Sequence, residues 1–178
     1  MDTIIPKGYK PNLDVVQTER SIKFVKDHFE TALARRLNLN RITAPLFVRV
    51  GTGVQDMLNG VERPVTFRVR CDGDAPCEIV HSLAKWKRLA LYKYGFSHGE
   101  GIYTDMNALR PDEEKLDNLH SIYVDQWDWE KVMLQTDRNL DFLQAVVRAI
   151  YAAIRESESA VYAGFGLRPF LPPNVMPA

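Results

Sequence analysis

The sequence predicts an α+β fold, with an antiparallel sheet flanked by helices. Two stretches, 21–37 and 137–158, carry apolar residues at steps of three and four, which is the pattern of an amphipathic helix. Several short strand-like runs lie between them, and the last two are joined by one loop, so that the second strand returns along the first. Helices that are segregated from a mainly antiparallel sheet define this fold class.

After the first predicted helix, a strand-like run at 41–50 contains Pro45. Proline has no N–H to donate to a central ladder, so Pro45 indicates an edge strand, a bulge or an interface. The next segment, 51–60, contains three glycines and is predicted to be a loop.

The middle of the chain predicts two strands and a short helix. In 65–70 apolar and polar residues alternate, and the apolar ones, Phe67 among them, are expected to face inward. A turn leads into a strand that starts at Cys77. Ser82 is then the expected N-cap of a helix that stops at Gly95.

Two further strands are predicted at 101–110 and 121–130, with a long charged loop between them. Loops of this length often act on ligands. The helix at 137–158 follows, and the proline-rich end of the chain is expected to be irregular.

The strand at 121–130 has two chemically different faces, because side chains on a strand alternate in direction. One face carries Ile122, Val124, Gln126 and Asp128, and the other carries aromatic residues together with Asp125. Gln126 and Asp128 either meet water at the end of a core strand or face a ligand pocket.

Length and charge limit the classes of function. The 178 residues suffice for a single domain, 1–178, with an N-terminal extension at 1–20 and an irregular tail at 170–178. The 23 basic and 23 acidic residues balance, so we expect no nucleic acid and no membrane as partner. No apolar run approaches the roughly 20 residues of a membrane span. The first residues do not resemble a signal peptide, and we expect a cytoplasmic protein.

The two cysteines, Cys71 and Cys77, flank a turn. We expect two free thiols, with a disulfide across the hairpin as the alternative. A metal site would need more ligands than this segment offers, so none is predicted.

Three segments carry polar groups that strand ends and helix starts could direct into one cavity. Arg110 ends a strand and precedes several acids, and an arginine is suited to holding a phosphate. Lys87 lies near a helix start and could hold a carboxylate. Asp128 could hold an ammonium group. Together these groups would suit a nucleotide and an amino acid.

Four runs resemble the signature segments of ammonia-dependent asparagine synthetase (aspartate–ammonia ligase): RVGTGVQDMLNG, IVHSLAKWKR, GEGIYTDMNALRPDE and HSIYVDQWDWE. The resemblance extends from about Ser21 to Pro172. This family has the catalytic core of class II aminoacyl-tRNA synthetases, which is the fold that the resemblance implies.

The resemblance implies a ligation in two steps. ATP, with Mg²⁺, and L-aspartate would give β-aspartyl-AMP and pyrophosphate, and ammonia would then release L-asparagine and AMP. An alternative is a catalytically incomplete remnant or regulatory paralogue. Such a protein would bind aspartate or nucleotide, or pair with other subunits, without turnover. A tRNA-charging enzyme is disfavoured by the neutral charge, which offers no basic surface to a polyanion.

The resemblance also implies roles for individual residues. The implied catalytic residues are Asp56, Lys87 and Arg110. The implied aspartate-binding residues are Ser82, Lys87, Gln126 and Asp128, and those for ATP are Arg110, Asp112, His120 and Ser121. For Arg110 the alternative is a surface arginine paired with Asp112 or Glu113, and His81 is expected to pack beneath the site.

Two further expectations follow from the resemblance. Pro45 and the first helix are similar to the dimer-forming motif of the superfamily, which implies a homodimer. The family also has later segments, including a glycine-rich strand–helix motif with an arginine, that have no counterpart here. The chain is therefore expected to be the N-terminal part of the core, apparently truncated, and its own activity is left open.

Overall fold

The computed structural model of the protein describes residues 3–174, and it is α+β as predicted. Two short 3-10 helices, Arg70–Asp72 and Gln135–Asp137, accompany the main elements. In chain order these are α1 (Val15–Leu37), β1 (Leu39–Arg41), β2 (Phe47–Arg49), β3 (Thr66–Val69), β4 (Ala75–Ile79), α2 (Ala84–Lys93), β5 (Gly101–Leu109), β6 (Tyr123–Lys131) and α3 (Leu140–Phe165).

Within residues 3–174 the strands form two sheets of three strands, in the orders β1-β5-β6 and β2-β4-β3. In the second sheet β4 is antiparallel to both neighbours, with Phe47 opposite Ile79 and Thr66 opposite Glu78. The run predicted as one strand at 41–50 is divided between the two sheets. Pro45 lies at the division, where its missing N–H interrupts no ladder.

The contacts of the chain group into two compact units. The first comprises Arg41–Phe96 and Ile102–Glu130, together with the described residues up to Lys7. The second comprises Gly8–Asn40, Ser97–Gly101 and the described chain from Lys131 onward. The assignment of the whole chain to a single domain stays a prediction.

The core of the first unit contains the buried residues Val80, Leu83, Met106 and Ala108. Val124 of β6 packs against this cluster, as the alternation predicted. Ile122, which was expected on the same inward face, lies before β6 and is 42% exposed. Phe67 was expected to face inward as well, but it is 37% exposed and its ring packs edge-on against Phe47, with ring centroids 5.0 Å apart. The alternation of apolar and polar residues predicts on which side of the sheet a side chain lies, but not whether another element packs on that side.

The second unit is built on the packing of α1 against α3. Helix α1 begins earlier than predicted because Asp14 forms a capping box with Gln17, whose N–H donates to Oδ1 of Asp14 at 2.7 Å. The predicted extension at 1–20 therefore includes the first turns of α1. Residues 1–2 of that extension and 175–178 of the predicted tail lie outside the described residues.

Helix α3 is displaced from the predicted 137–158. Asn139 is its N-cap and accepts from the N–H of Phe142 at 2.9 Å, while Gly166 ends it with a φ of +70°. The described part of the tail, 170–174, contains no helix or strand, as predicted.

Candidate active site

The predicted site residues all lie in the first unit, on four segments. These are the loop between β2 and β3, the start of α2, the loop between β5 and β6, and β6 itself. The structure brings two pairs of them into contact, Asp56 with Ser82 and Lys87 with Asp128. Arg110 and Asp112 line the same cavity.

Lys87 and Asp128 form a buried ion pair. The first turns of α2 place Lys87 against β6, where Nζ donates to the Asp128 carboxylate and, at 3.0 Å, to the carbonyl of Trp129. Glu130 lies 3.9 Å from the same ammonium. Lys87 is only 3% exposed. The Asp128 side chain is 18% exposed, so the alternative in which it simply meets water is wrong.

Gln126 lies on the same face of β6 as Val124 and Asp128, and it is half-buried. Its Nε2 lies 3.7 Å from the sulfur of Met106, a weak acceptor. The predicted direction of the amide and the carboxylate away from the tryptophan face is therefore confirmed. The amide donors of Gln126 are directed toward only this one weak partner among the described side chains.

Asp56, in the loop between β2 and β3, binds the start of α2. Its Oδ2 accepts from Ser82 Oγ at 3.3 Å and from the N–H of Lys85 at 3.1 Å. Ser82 was predicted to be the N-cap of α2, and this is wrong. The cap residue is Leu83, whose side chain cannot accept a hydrogen bond, and the Asp56 carboxylate takes an N–H of the first turn instead.

Arg110 leaves the end of β5 and borders a cavity of about 870 Å³. Its Nη2 donates to the carbonyl of His81 at 3.3 Å, and its Nε is buried with no partner among the described residues. The alternative of a surface ion pair with Asp112 is therefore not what the structure shows. The cavity is lined by Leu58, Asn59, Val61, Glu62, Arg110, Pro111, Asp112, Glu113 and Glu114.

Asp112 is held by Arg63, which sequence reasoning missed. The backbone N–H of Arg63 donates to Asp112 Oδ2 at 2.6 Å, and the Arg63 guanidinium donates to both carboxylate oxygens. These side-chain hydrogen bonds hold the pKa of Asp112 below its ordinary value. The contact joins two loops that are distant in sequence. An exposed arginine beside a proline carried no signal that could have revealed it.

His120 and Ser121, predicted to contact the nucleotide, do not line this cavity. The loop turns at Asp117, whose Oδ1 accepts from the backbone N–H groups of Leu119 and His120 and lies 2.9 Å from the His120 ring. The N–H of Leu119, followed by the His120 side chain, lowers the pKa of Asp117 to about 2. This turn directs His120 to its own loop.

His81 packs beneath the site, as expected, and is fully buried. Within residues 3–174, no group of three or more His, Cys, Asp or Glu side chains is placed to hold a metal ion. Cys71 and Cys77 are free thiols, as expected, one exposed and one buried. No helix in the described range has an apolar stretch long enough to cross a membrane.

Comparison with known proteins adds the family. Residues 16–177 match the model of the family described as aspartate–ammonia ligase. The chain belongs to that family.

Three aspartate–ammonia ligases illustrate the similarity. That of Clostridium tetani is 60% identical over 158 residues, 89% of this chain and 46% of the relative. That of Bacteroides thetaiotaomicron is 56% identical, covering 95% and 49% of the two chains, and that of Ruminiclostridium cellulolyticum is 52% identical, covering 98% and 52%. The chain thus spans about half the length of the curated relatives that it matches.

A solved structure with some likeness is PylSc of Desulfitobacterium hafniense, a pyrrolysyl tRNA synthetase. It is 13% identical, with a TM-score of 0.48, and the match covers 79% of this chain and 51% of that one. At that score the structural likeness does not support a shared fold or function, and the family assignment depends on sequence similarity alone.

Proposed function

We propose that this chain serves the ATP-dependent ligation of ammonia to L-aspartate, which gives L-asparagine, AMP and pyrophosphate through β-aspartyl-AMP. The observation that carries the proposal is the buried pair of Lys87 and Asp128 beside Gln126. An amino acid with a carboxylate and an ammonium offers each member of that pair an opposite charge.

In this proposal the ion pair between Lys87 and Asp128 is replaced by two ion pairs with the bound aspartate. Lys87 binds a carboxylate of the substrate, helped by its place near the N-terminus of α2, and Asp128 binds the ammonium. Gln126 offers amide donors from the same face of β6. Ser82 and Asp56 lie at the start of α2, where Asp56 already orients both the hydroxyl and a backbone N–H.

ATP is assigned to the cavity beside Arg110. Its volume of about 870 Å³ is within the ordinary range for ligand pockets. Arg110 offers a planar fork of donors, and its buried Nε is free to pair with an α-phosphate oxygen. Asp112 borders the same cavity.

The acidic lining of the cavity fits ATP only together with a cation. Glu62, Asp112, Glu113 and Glu114 supply carboxylate oxygens, the ligands that Mg²⁺ prefers, although they do not converge into a cluster of their own. When bound, Mg²⁺ would neutralise phosphate charge. One or two of these carboxylates, with the phosphates, would hold it.

The reaction then proceeds by positioning and charge stabilisation. A side-chain carboxylate oxygen of aspartate attacks the α-phosphorus, and the bond to the pyrophosphate oxygen breaks. Ammonia attacks the resulting acyl carbon, and the carbon–oxygen bond to AMP breaks as one proton leaves the nitrogen. Arg110 would stabilise the charge that moves over the α-phosphate in both steps.

The second candidate is binding without turnover, as in a remnant or regulatory paralogue. The observation that favours it is the ion pair of Lys87 and Asp128, in which each charge already has an opposite partner within the chain. Pyrophosphate release separates the two candidates. Aspartate-dependent release from ATP and Mg²⁺, with asparagine and AMP formed when ammonium is added, supports the ligase. Binding of aspartate without any release supports the second candidate.

A homodimer and a cytoplasmic location complete the proposal. Leu46 and Phe47, which follow Pro45, are about half exposed although apolar, and this supports an interface at that edge. Light scattering on the purified chain would give twice the chain mass for a dimer. A mass of 20.4 kDa would contradict it.

A further inference from the structure

Gln55 acts as a strand partner for the end of β4. Its Nε2 donates to the carbonyl of Ile79 at 2.9 Å, and its Oε1 accepts from the N–H of His81, also at 2.9 Å. Gln55 is only 5% exposed. One side-chain amide thus satisfies two backbone groups, one on the last residue of β4 and one two residues later.

The same residue is joined to the aspartate side of the candidate site. Asp56 follows it directly and binds Ser82 and the first turn of α2. The backbone carbonyl of Gln55 accepts from Lys85 Nζ at 3.1 Å. A shift of Gln55 would therefore move the Asp56 carboxylate relative to α2.

Gln55 is also joined to the nucleotide side, through His81. Arg110 is held by the carbonyl of His81, and Gln55 holds the N–H of that residue. Gln55 therefore restrains the position of His81, the residue whose carbonyl accepts from the Arg110 guanidinium. The buried side chain of Gln55 is thus connected to both the aspartate side and the nucleotide side of the candidate site.

We propose that Gln55 is a positioning residue that couples the aspartate side of the site to the nucleotide side. The names of the two sides rest on the proposed function. The coupling itself rests on four hydrogen bonds, which join Gln55 to Ile79, His81 and Lys85, and His81 to Arg110. Gln55 holds the groups that would touch ligand.

The substitution Gln55→Met tests the coupling, because it preserves the side-chain length and removes both polar atoms. Isothermal titration of the 178-residue chain with aspartate and with ATP should show each dissociation constant raised about tenfold, as expected for lost buried hydrogen bonds. The control Gln144→Met changes an exposed glutamine of α3 and should leave both constants unchanged. Weakening of one ligand alone, or of neither, overturns the proposal.

A ligand-free measurement separates this proposal from the proposed function. In NMR spectra of Gln55→Met, the amide resonance of Lys85 and the side-chain resonance of Arg110 should both move, whereas the amide of Lys23 should not. If the wild-type chain binds neither ligand, the proposed function is wrong. The resonances of Lys85 and Arg110 still show whether Gln55 couples the two sides of the site. Movement of only one of the two contradicts it.

If Gln55→Met does not fold, the wild-type chain supplies the test. Hydrogen exchange of the Gln55 side-chain amide should be slower than that of the exposed Gln144, by at least about tenfold for a buried hydrogen-bonded group. Equal rates overturn the proposal.

Discussion

Lys87 and Asp128, the two groups assigned to opposite charges of one substrate, form an ion pair with each other. The lysine is buried and the carboxylate nearly so. Taking charges out of water costs free energy that their mutual attraction only partly returns. A substrate that presents both charges can therefore replace this pair without leaving either charge unpaired.

Removal of one partner should destabilise the chain strongly. We expect Lys87→Met to lower the free energy of unfolding by about 3–5 kcal/mol, because it leaves the Asp128 carboxylate partly buried and uncompensated. Urea unfolding monitored by circular dichroism measures this. The double substitution Lys87→Met with Asp128→Leu should recover most of the loss.

The matched control for that experiment is Lys23→Met. Lys23 pairs with Asp27 on the exposed surface of α1, where both side chains are more than half exposed. We expect a loss of at most about 1 kcal/mol there. Similar losses at Lys23 and Lys87 would show that the buried pair has no special energetic role.

Arg110→Lys should weaken ATP binding and leave aspartate binding unchanged. Lysine keeps the charge but not the planar fork of donors. Because hydrogen bonds to charged groups contribute about 1.5–3 kcal/mol, the dissociation constant of ATP should rise roughly 10- to 100-fold. Calorimetric titration with each ligand measures both effects, with Arg148→Lys on α3 as control. An unchanged ATP affinity would remove Arg110 from the nucleotide site.

The pKa of Asp112 should depend on Arg63. In the folded chain the carboxyl titrates below its ordinary value of 3.8, since the guanidinium stabilises the charged form. The contact between Arg63 and Asp112 therefore stabilises the folded chain at pH values above the pKa that the Asp112 carboxyl has in the unfolded chain. This stabilisation is lost as the pH falls through the lower pKa that the carboxyl has in the folded chain. Carboxyl ¹³C shifts followed from pH 7 to pH 2 should show the Asp112 midpoint rise toward 3.8 in Arg63→Gln.

Asp137 is the internal reference for that titration. Its pKa is also lowered, first by the N–H of Leu134 and then by His98, neither of which contacts Arg63. Its midpoint should not change in Arg63→Gln. A parallel rise of both midpoints would indicate a general loss of structure.

Asn118 should hold the N-terminal segment to the loop between β5 and β6. Its side-chain amide accepts from the N–H of Ile4 at 2.7 Å and donates to the carbonyl of Ile4 at 3.0 Å. Asn118→Ala removes both hydrogen bonds, so amide exchange at Ile4 should accelerate. Exchange in Asn59→Ala, a change in another loop, should stay at the wild-type rate. Equal rates in Asn118→Ala and wild type would contradict the link.

Local patterns predicted most elements of this fold. The amphipathic spacing predicted that α1 and α3 exist. Their first residues were not predicted, because they depend on the N-caps Asp14 and Asn139, which lie outside the apolar pattern. Alternation in 121–130 predicted which face Gln126 and Asp128 share, and Val124 on that face packs on the core, whereas Ile122 is exposed. The division at Pro45 was not predicted, because a proline marks an interruption without showing that the two halves join different sheets.

The sequence by itself determined the α+β class, the family, and the residue types that could hold phosphate, carboxylate and ammonium. Only the tertiary structure decided which of these groups meet: Lys87 with Asp128, Asp112 with Arg63 in place of Arg110, and Gln55 with the end of β4. Each of these contacts joins residues at least 24 positions apart. Hydrogen bonds act over a few ångströms, so the choice of partner depends on where the folded chain places each segment, which local spacing does not encode.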